Sequence, residues 1–269
     1  MNLLIAPFVN ALFGSYYLTG NLGLAVILVT VIIRVLLFPL VLPSFKSDQK
    51  MRELQPRLKR LQEKYAGDKE GLAKAQMDFY KQEGVNPLGG CLPQLIQVAI
   101  LIIFFSAFNL VAGFSEGKNT IAEVNKQLIP SFKIKEDFRF NVDFLGSDLR
   151  ETPAKIFQKG VGEWLIVPFL MLIGSGYLQY LGAKLMMPSN QLSVTSDQLR
   201  VKEAKDKEKE KSNADDMQEM MRTQSMYMMP LMTIFIGWSF SLGILLYWFV
   251  NSAVMTAQQV WVNGMGSKK

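Results

Sequence analysis

One charged residue stands where elementary solvation argues against it. Arg34 lies inside an apolar run, residues 23–42, long enough as a helix to cross the roughly 30 Å hydrocarbon layer of a bilayer. A cation at that depth costs about 2.5–3.5 kcal/mol on insertion scales. The usual remedy for a buried arginine is an ion pair. The other apolar runs, 92–113, 164–187 and 226–261, hold no Asp or Glu; Glu163 only borders the third. Arginine keeps its proton, so it cannot escape by neutralising. Two arrangements remain: the side chain snorkels towards the nearer interface, or it sits in a hydrated cavity among helices. Arg34 is 8 residues from Leu42, about 12 Å of helical rise, which is long for snorkelling and favours the cavity.

Neutral polar residues in the other runs could line such a cavity. Thr30 lies one turn from Arg34 on the same helix. Gln94 and Gln97 share a face of the second run by i,i+3 spacing. Gln179 is inside the third, and Asn251, Ser252, Thr256 and Gln258 are inside the last. Taken singly, each is ordinary interhelical glue. Taken with one lone cation, they suggest a polar groove. A fixed cation in low dielectric attracts anions strongly. A peptide tail carrying Asp or Glu, drawn partway across a bilayer, would be stabilised by it. The same charge could serve an anion channel or transporter, the alternative reading. The runs show neither duplicated halves nor matching broken helices, which weakens that alternative.

Other chemistries are excluded by composition. The chain has no histidine and one cysteine, Cys91. Histidine acid–base catalysis, a Cys/His zinc site and an internal disulfide all lack their residues. We expect no enzyme, no cofactor and no metal. Cys91 reads as a small, weakly polar residue at a helix end. The net charge of +6 suits anionic lipids and, at a distance, ribosomal RNA, without any sign of specific nucleic-acid recognition.

The elements that must position Arg34 follow from the hydropathy pattern. Charged and apolar residues are segregated along the sequence, as in a polytopic all-α membrane protein. We expect an interfacial helix at 1–19, with a frayed start of the first span as the alternative. A first span at 20–43, a cytoplasmic helical hairpin at 44–90 and a second span at 91–113 follow. Then come an extracytoplasmic loop at 114–163, a third span at 164–187 and a charged cytoplasmic segment at 188–225. The 226–261 run is too long for one helix at ordinary tilt. Its "GWSFSLG" centre splits it into a hairpin of two spans, leaving a short cytoplasmic tail at 262–269. The N-terminal stretch has no Lys or Arg, whereas 44–90 has 10; this puts the N-terminus outside and the C-terminus in the cytoplasm.

Within 44–90, Leu54, Leu58, Leu61 and Tyr65 form one apolar seam, and Leu72, Ala75 and Phe79 another, with "AGDKEG" between them. Pro56 predicts a kink or a helix start inside the first arm. Pro39, Pro43, Pro87, Pro93, Pro168 and Pro230 sit in or beside spans, as helix starts and kinks. Residues 201–216, "VKEAKDKEKEKSNADD", are low-complexity and charged, and predict a disordered or loosely helical linker. The methionine-rich stretch after them suits either a greasy slide or ordinary packing.

These residues resemble a known family. "NLGLAVILVTVIIRVLLFPL", a basic hairpin, then "VNPLGGCLPQLIQ", together with "NVDFLGSDL", "GYLQYLGAKLMMP" and "LLYWFVNS", are similar to the YidC/Oxa/Alb membrane protein insertases. The resemblance runs over roughly 20–261. It implies five spans in a bacterial plasma membrane, around a hydrophilic groove open to cytosol and lipid and closed outside. It places Arg34 in that groove, in contact with acidic residues of clients, and by motif position Gln179 and Trp248 beside it. It implies that the hairpin at about 47–84 is flexible and needed for activity. The implied partners are nascent membrane proteins, the lipid bilayer, the Sec translocon and the ribosome. Only "VNGMGSKK" follows the last span, where some members carry a long basic ribosome-binding tail. No lipoprotein signal and no large domain before the groove are legible, unlike the six-span form.

Overall fold

A computed structural model describes residues 2–65, 67–85, 92–135, 137–160, 162, 165–186 and 224–266. Helix α1, Asn2–Thr19, closes at Gly20, whose φ of +67° turns the chain; its N–H returns to the Tyr16 carbonyl at 2.7 Å. It is a helix in its own right, packed against α2 and α4. A frayed start of the first span is thereby overturned. Three consecutive capping residues make the break: Thr19 bonds Ser15 O, Gly20 supplies the left-handed φ, and Asn21 Oδ1 accepts from the N–H groups of Gly23 and Leu24.

Helix α2, Leu22–Lys64, is a single 43-residue helix. At 1.5 Å per residue it is about 65 Å long, twice the hydrocarbon thickness. The first span and the first hairpin arm are therefore one element. The helix start expected at Pro56 does not occur. Pro56 is exposed and flanked by Gln, Arg, Leu and Lys, strong helix formers that outweigh one missing donor where water reaches the freed carbonyl. The chain turns at Gly67, and Asp68 caps α3, Lys69–Gln82, through the Gly71 N–H at 2.9 Å. The hairpin buries little: Leu54, Leu58, Leu72 and Val85 form its seam. Outside the seam, Arg57 lies over the Phe79 ring and pairs with Glu83.

Helix α4 is Leu92–Ser115. The following segment, read from sequence as a loop of unplaced shape, is folded. It contains α5 (Ile121–Asn125), a 3₁₀ turn (Pro130–Phe132), an antiparallel pair β1 (Asp143–Phe144) and β2 (Ser147–Asp148), and α6 (Pro153–Gln158). Thr120 and Glu123 form a reciprocal capping box on α5. Val124, Leu149 and Ile156 join the main hydrophobic core. Phe138 and Phe140 pack edge-on against one another and on Tyr16 of α1, while Phe13 meets Phe140 edge-on and stacks on Phe138.

Helix α7 is Ile166–Met186; after a π turn at Gln224–Met228 come α8, Met229–Gly237, and α9, Leu242–Gly266. The break expected at "GWSFSLG" falls between α8 and α9. The folded loop holds it: Leu242 N–H bonds Glu151 O at 2.8 Å, Gly243 N–H bonds Leu149 O at 2.9 Å, and Ala154 N–H bonds Trp238 O at 3.2 Å. Leu22 N–H likewise bonds Asn141 O at 2.9 Å. Loop carbonyls thus satisfy donors that helix starts leave open. Helix α9 is the central element, packed on α2, α4 and α7, while α8 packs on α7.

Among the described residues the protein is all-α apart from the two-residue strands. Among the described residues, three helical stretches are long and apolar enough to cross a membrane: Leu22–Lys64, Leu95–Ser115 and Ile166–Leu185. The segment Met226–Gly237 is apolar but shorter. The 86–91 signature with Cys91, and residues 187–223 with Met217, Met220 and Met221, lie outside the described residues.

Candidate functional site

Arg34 lies where α2, α4 and α9 meet, and it is 9% exposed. Its Nε donates to Asn251 Oδ1 on α9 at 2.5 Å. Its Nη2 donates to Gln97 Oε1 on α4 and approaches Met255 Sδ at 4.0 Å. The backbone around it is also held: Gln258 Nε2 donates to the Arg34 carbonyl at 3.2 Å. Both side-chain acceptors are neutral amides. They satisfy donors without cancelling the positive charge.

The amides are themselves oriented. Gln97 Nε2 donates to the Tyr247 hydroxyl at 3.3 Å, which turns Oε1 towards the guanidinium. Tyr247 is 2% exposed and stacked on Phe104, with ring centroids 4.2 Å apart. A relay therefore runs from Tyr247 through Gln97 to Arg34. Asn251, one helical turn beyond Tyr247, completes the clamp from the same face of α9. The composition of α9 makes this possible: it brings Tyr247, Asn251, Met255 and Gln258 onto one side.

The sequence reading left Arg34 to snorkel or to sit in water. The structure sets the guanidinium against two of the amides expected to line such a cavity, Gln97 and Asn251, from two other helices. The physical reason is reach: Gln97 and Asn251 come to the mid-helix position, so the side chain need not travel towards an interface.

The other residues singled out from sequence are dispersed. Thr30 is buried, but its hydroxyl donates to Val26 O at 2.6 Å within α2. Gln179 accepts from Thr233 Oγ1 on α8 at 2.8 Å, joining α7 to α8. Trp248 is partly buried, with its ring 6.2 Å from that of Phe240 near the α8–α9 turn. Thr256 Oγ1 donates to Leu178 O at 3.2 Å, joining α9 to α7. The Gln94 side chain lies outside the described residues. Sequence reasoning missed Tyr247, Met255 and Thr233. The signal for Tyr247 was available as i,i+4 spacing from Asn251.

Known proteins are similar to this chain in sequence. The profile of the 60Kd inner membrane protein family matches residues 14–269. The chain is 29% identical over 259 residues to a protein of Pelobacter propionicus named "Membrane protein insertase YidC", covering 96% of this chain and 38% of that one. It is 30% identical over 257 residues to the protein of that name from Syntrophobacter fumaroxidans, covering 96% and 37%. An 88-residue stretch is 54% identical to the one from Francisella tularensis subsp. novicida, covering 33% and 16%. The chain thus spans less than two-fifths of the length of these curated relatives. With a profile match across nearly its whole length and an all-helical, membrane-embedded architecture, this chain belongs to the family of the 60Kd inner membrane protein.

Proposed function

We propose that this protein inserts membrane proteins into a bacterial plasma membrane and helps them fold, using Arg34 as a temporary counter-ion. The observation that carries the reading is a buried guanidinium held by neutral amides only, among the described residues. An incoming Asp or Glu competes directly for Nη2. It replaces an amide dipole with a full opposite charge, worth about 4 kcal/mol at 4 Å in a surface-like effective dielectric. Its own dehydration opposes that gain, so the pair is transient and the client moves on. No bond is made or broken, and no ATP or cofactor is required.

The reading takes the chain as five spans, with α8 and α9 forming the last two and the hairpin at 44–90 in the cytosol. The N-terminus is outside and the basic C-terminus inside, as the distribution of Lys and Arg favours. Clients are small membrane proteins with acidic translocated segments. The Sec translocon and the ribosome are reached through the hairpin and the charged 188–225 segment. The names of the relatives support insertion, and the polar clamp around Arg34 supports the groove.

The test is insertion into proteoliposomes of a one-span client with an acidic tail. Arg34→Ala reduces insertion about tenfold or more, the loss expected for about 1.4 kcal/mol of client stabilisation. Arg34→Lys retains part of it. A client with its acids changed to Asn no longer distinguishes the variants. Undiminished insertion by both Arg34→Ala and Arg34→Glu contradicts the counter-ion role.

A further inference from the structure

Beyond the apolar run of α2, a second polar cluster joins the root of the hairpin to α7 and α9. Asp48, Gln49 and Arg52 of α2 supply one side. Gln49 Nε2 donates to Val262 O at 3.0 Å and to Asn263 Oδ1 at 3.1 Å. Arg52 Nη2 donates to Asn263 Oδ1 at 2.8 Å, and its Nη1 donates to Leu185 O in the last turn of α7. A cavity of about 10 Å³ lies among Phe45, Asp48, Arg52, Gln259, Val262 and Asn263.

The arrangement of Asp48 is the unexpected part. Asp48 and Arg52 are one turn apart on one helix, the spacing at which opposite charges pair. Yet the guanidinium is given to a carbonyl and an amide, and Asp48 Oδ2 is buried without a hydrogen-bond partner. Gln259, 4% exposed, also lines the cavity with a buried, unpartnered Oε1. A buried carboxylate oxygen without a donor costs far more when the group is ionised than when it is neutral, and a neutral acid has an O–H to offer to an acceptor such as Gln259 Oε1 on the same cavity.

We propose that Asp48 and Arg52 form a proton-operated latch that fastens the cytoplasmic hairpin to the ends of α7 and α9. With Asp48 protonated, Arg52 is free to bind Leu185 O and Asn263, and the hairpin root is held. Loss of the proton creates a carboxylate that recaptures Arg52 within α2. The ties to α7 and α9 are then given up and the hairpin swings more freely.

Burial pushes the Asp48 carboxyl up to about 6, against the opposing pull of Arg52. The sign follows directly. A carboxyl raised in the latched form favours that form below the ordinary carboxylate range, and the latch weakens as pH rises through about 6. Among the described residues, the other charges on the elements packed here leave this unchanged. Glu53 acts on Arg52. Lys184 at the end of α7 is exposed. Lys46 and Lys50 are exposed on α2, with Lys50 bonded to Glu83 O. Glu83, after α3, is paired with Arg57. The described residues of α9 carry no charge, and the chain has no histidine to titrate in this range.

The proposal does not depend on insertion chemistry, and its test uses no client. Spin labels are placed at Met77→Cys on α3 and Leu170→Cys on α7, both exposed and away from the latch, in a Cys91→Ser full chain in liposomes. The inter-label distance distribution is narrow at pH 5, broad at pH 8, with a midpoint near pH 6. Asp48→Asn, which keeps the shape without the charge, is narrow at both pH values. Arg52→Gln is broad at both; should that variant fail to assemble, Asn263→Leu, which removes one acceptor, is broader than wild type at pH 5. A distribution indifferent to pH in the wild type overturns the latch. So does a pH dependence that persists in Asp48→Asn, or a broad distribution for that variant at pH 5.

Discussion

The two ends of the α2–α9 pair are built on different physics. At the loop end, Phe13, Leu22, Phe108, Leu149 and Leu242 are essentially inaccessible, and aromatic rings from α1 and the folded loop interlock. Gly243 fits only because it has no side chain: an added Cβ would overlap the Phe108 ring. At the hairpin end only a small apolar cluster, Val41, Phe45 and Val262, is buried beside the polar groups Arg34, Asn251, Ser252, Thr256 and Gln259, with orphan acceptors on Asp48, Gln258 and Gln259. Close packing has one good solution and resists rearrangement. Hydrogen bonds to amides contribute about 1 kcal/mol net each and exchange readily for other partners. One end seals and anchors, and the other is made to change partners.

The contrast can be broken most severely at the sealed end. Phe13→Ala removes a fully buried ring from the aromatic cluster, and we expect a loss of about 3–5 kcal/mol. A large fall in thermal midpoint in detergent is the readout; a fall of a degree or two would mean that the loop end is not the anchor. Next comes the clamp. Gln97→Leu leaves the Arg34 Nη2 and the Tyr247 hydroxyl short of partners, at about 1–3 kcal/mol. Gln97→Glu instead pairs the guanidinium internally. It should raise the midpoint and, under the proposed function, reduce insertion of acidic clients, so stability and activity move in opposite directions.

The third test separates the ends by pH. Amide exchange in α3 and the distal part of α2 should speed up between pH 5 and pH 8 beyond the intrinsic chemical rate, with an inflection near pH 6 set by Asp48. Exchange in α5 and α6 should show the intrinsic rate alone. The smallest effect belongs to the hairpin surface. Arg57→Gln removes an exposed pair with Glu83, and we expect about 0.2–1 kcal/mol in local opening of α3 and no change elsewhere.

How much was legible varied with the length over which a signal repeats. The apolar runs, the break between α8 and α9, and the seam of Leu54, Leu58 and Leu72 could be read from the sequence because each reflects local period or composition. Continuity of α2 through Pro56 could not, because one proline weighs locally against a helix that its neighbours sustain. The fold of 120–158 was invisible for another reason: α5, β1, β2 and α6 are each too short to carry a period. They are fixed by distant partners such as Asn10, whose Oδ1 accepts from Ile129 N–H and whose Nδ2 donates to Gln127 O.

The sequence by itself determined that Arg34 sits deep in an apolar helix with no carboxylate of its own in the apolar runs, because hydropathy and charge are properties of a residue and its neighbours. Tertiary structure alone decided that Gln97 and Asn251 would be its partners while Thr30, Gln179 and Trp248 look elsewhere. Polar residues in apolar helices are all candidates for one another until packing sets which faces meet. A hydrogen bond works over about 3 Å, far finer than any spacing along the chain can specify.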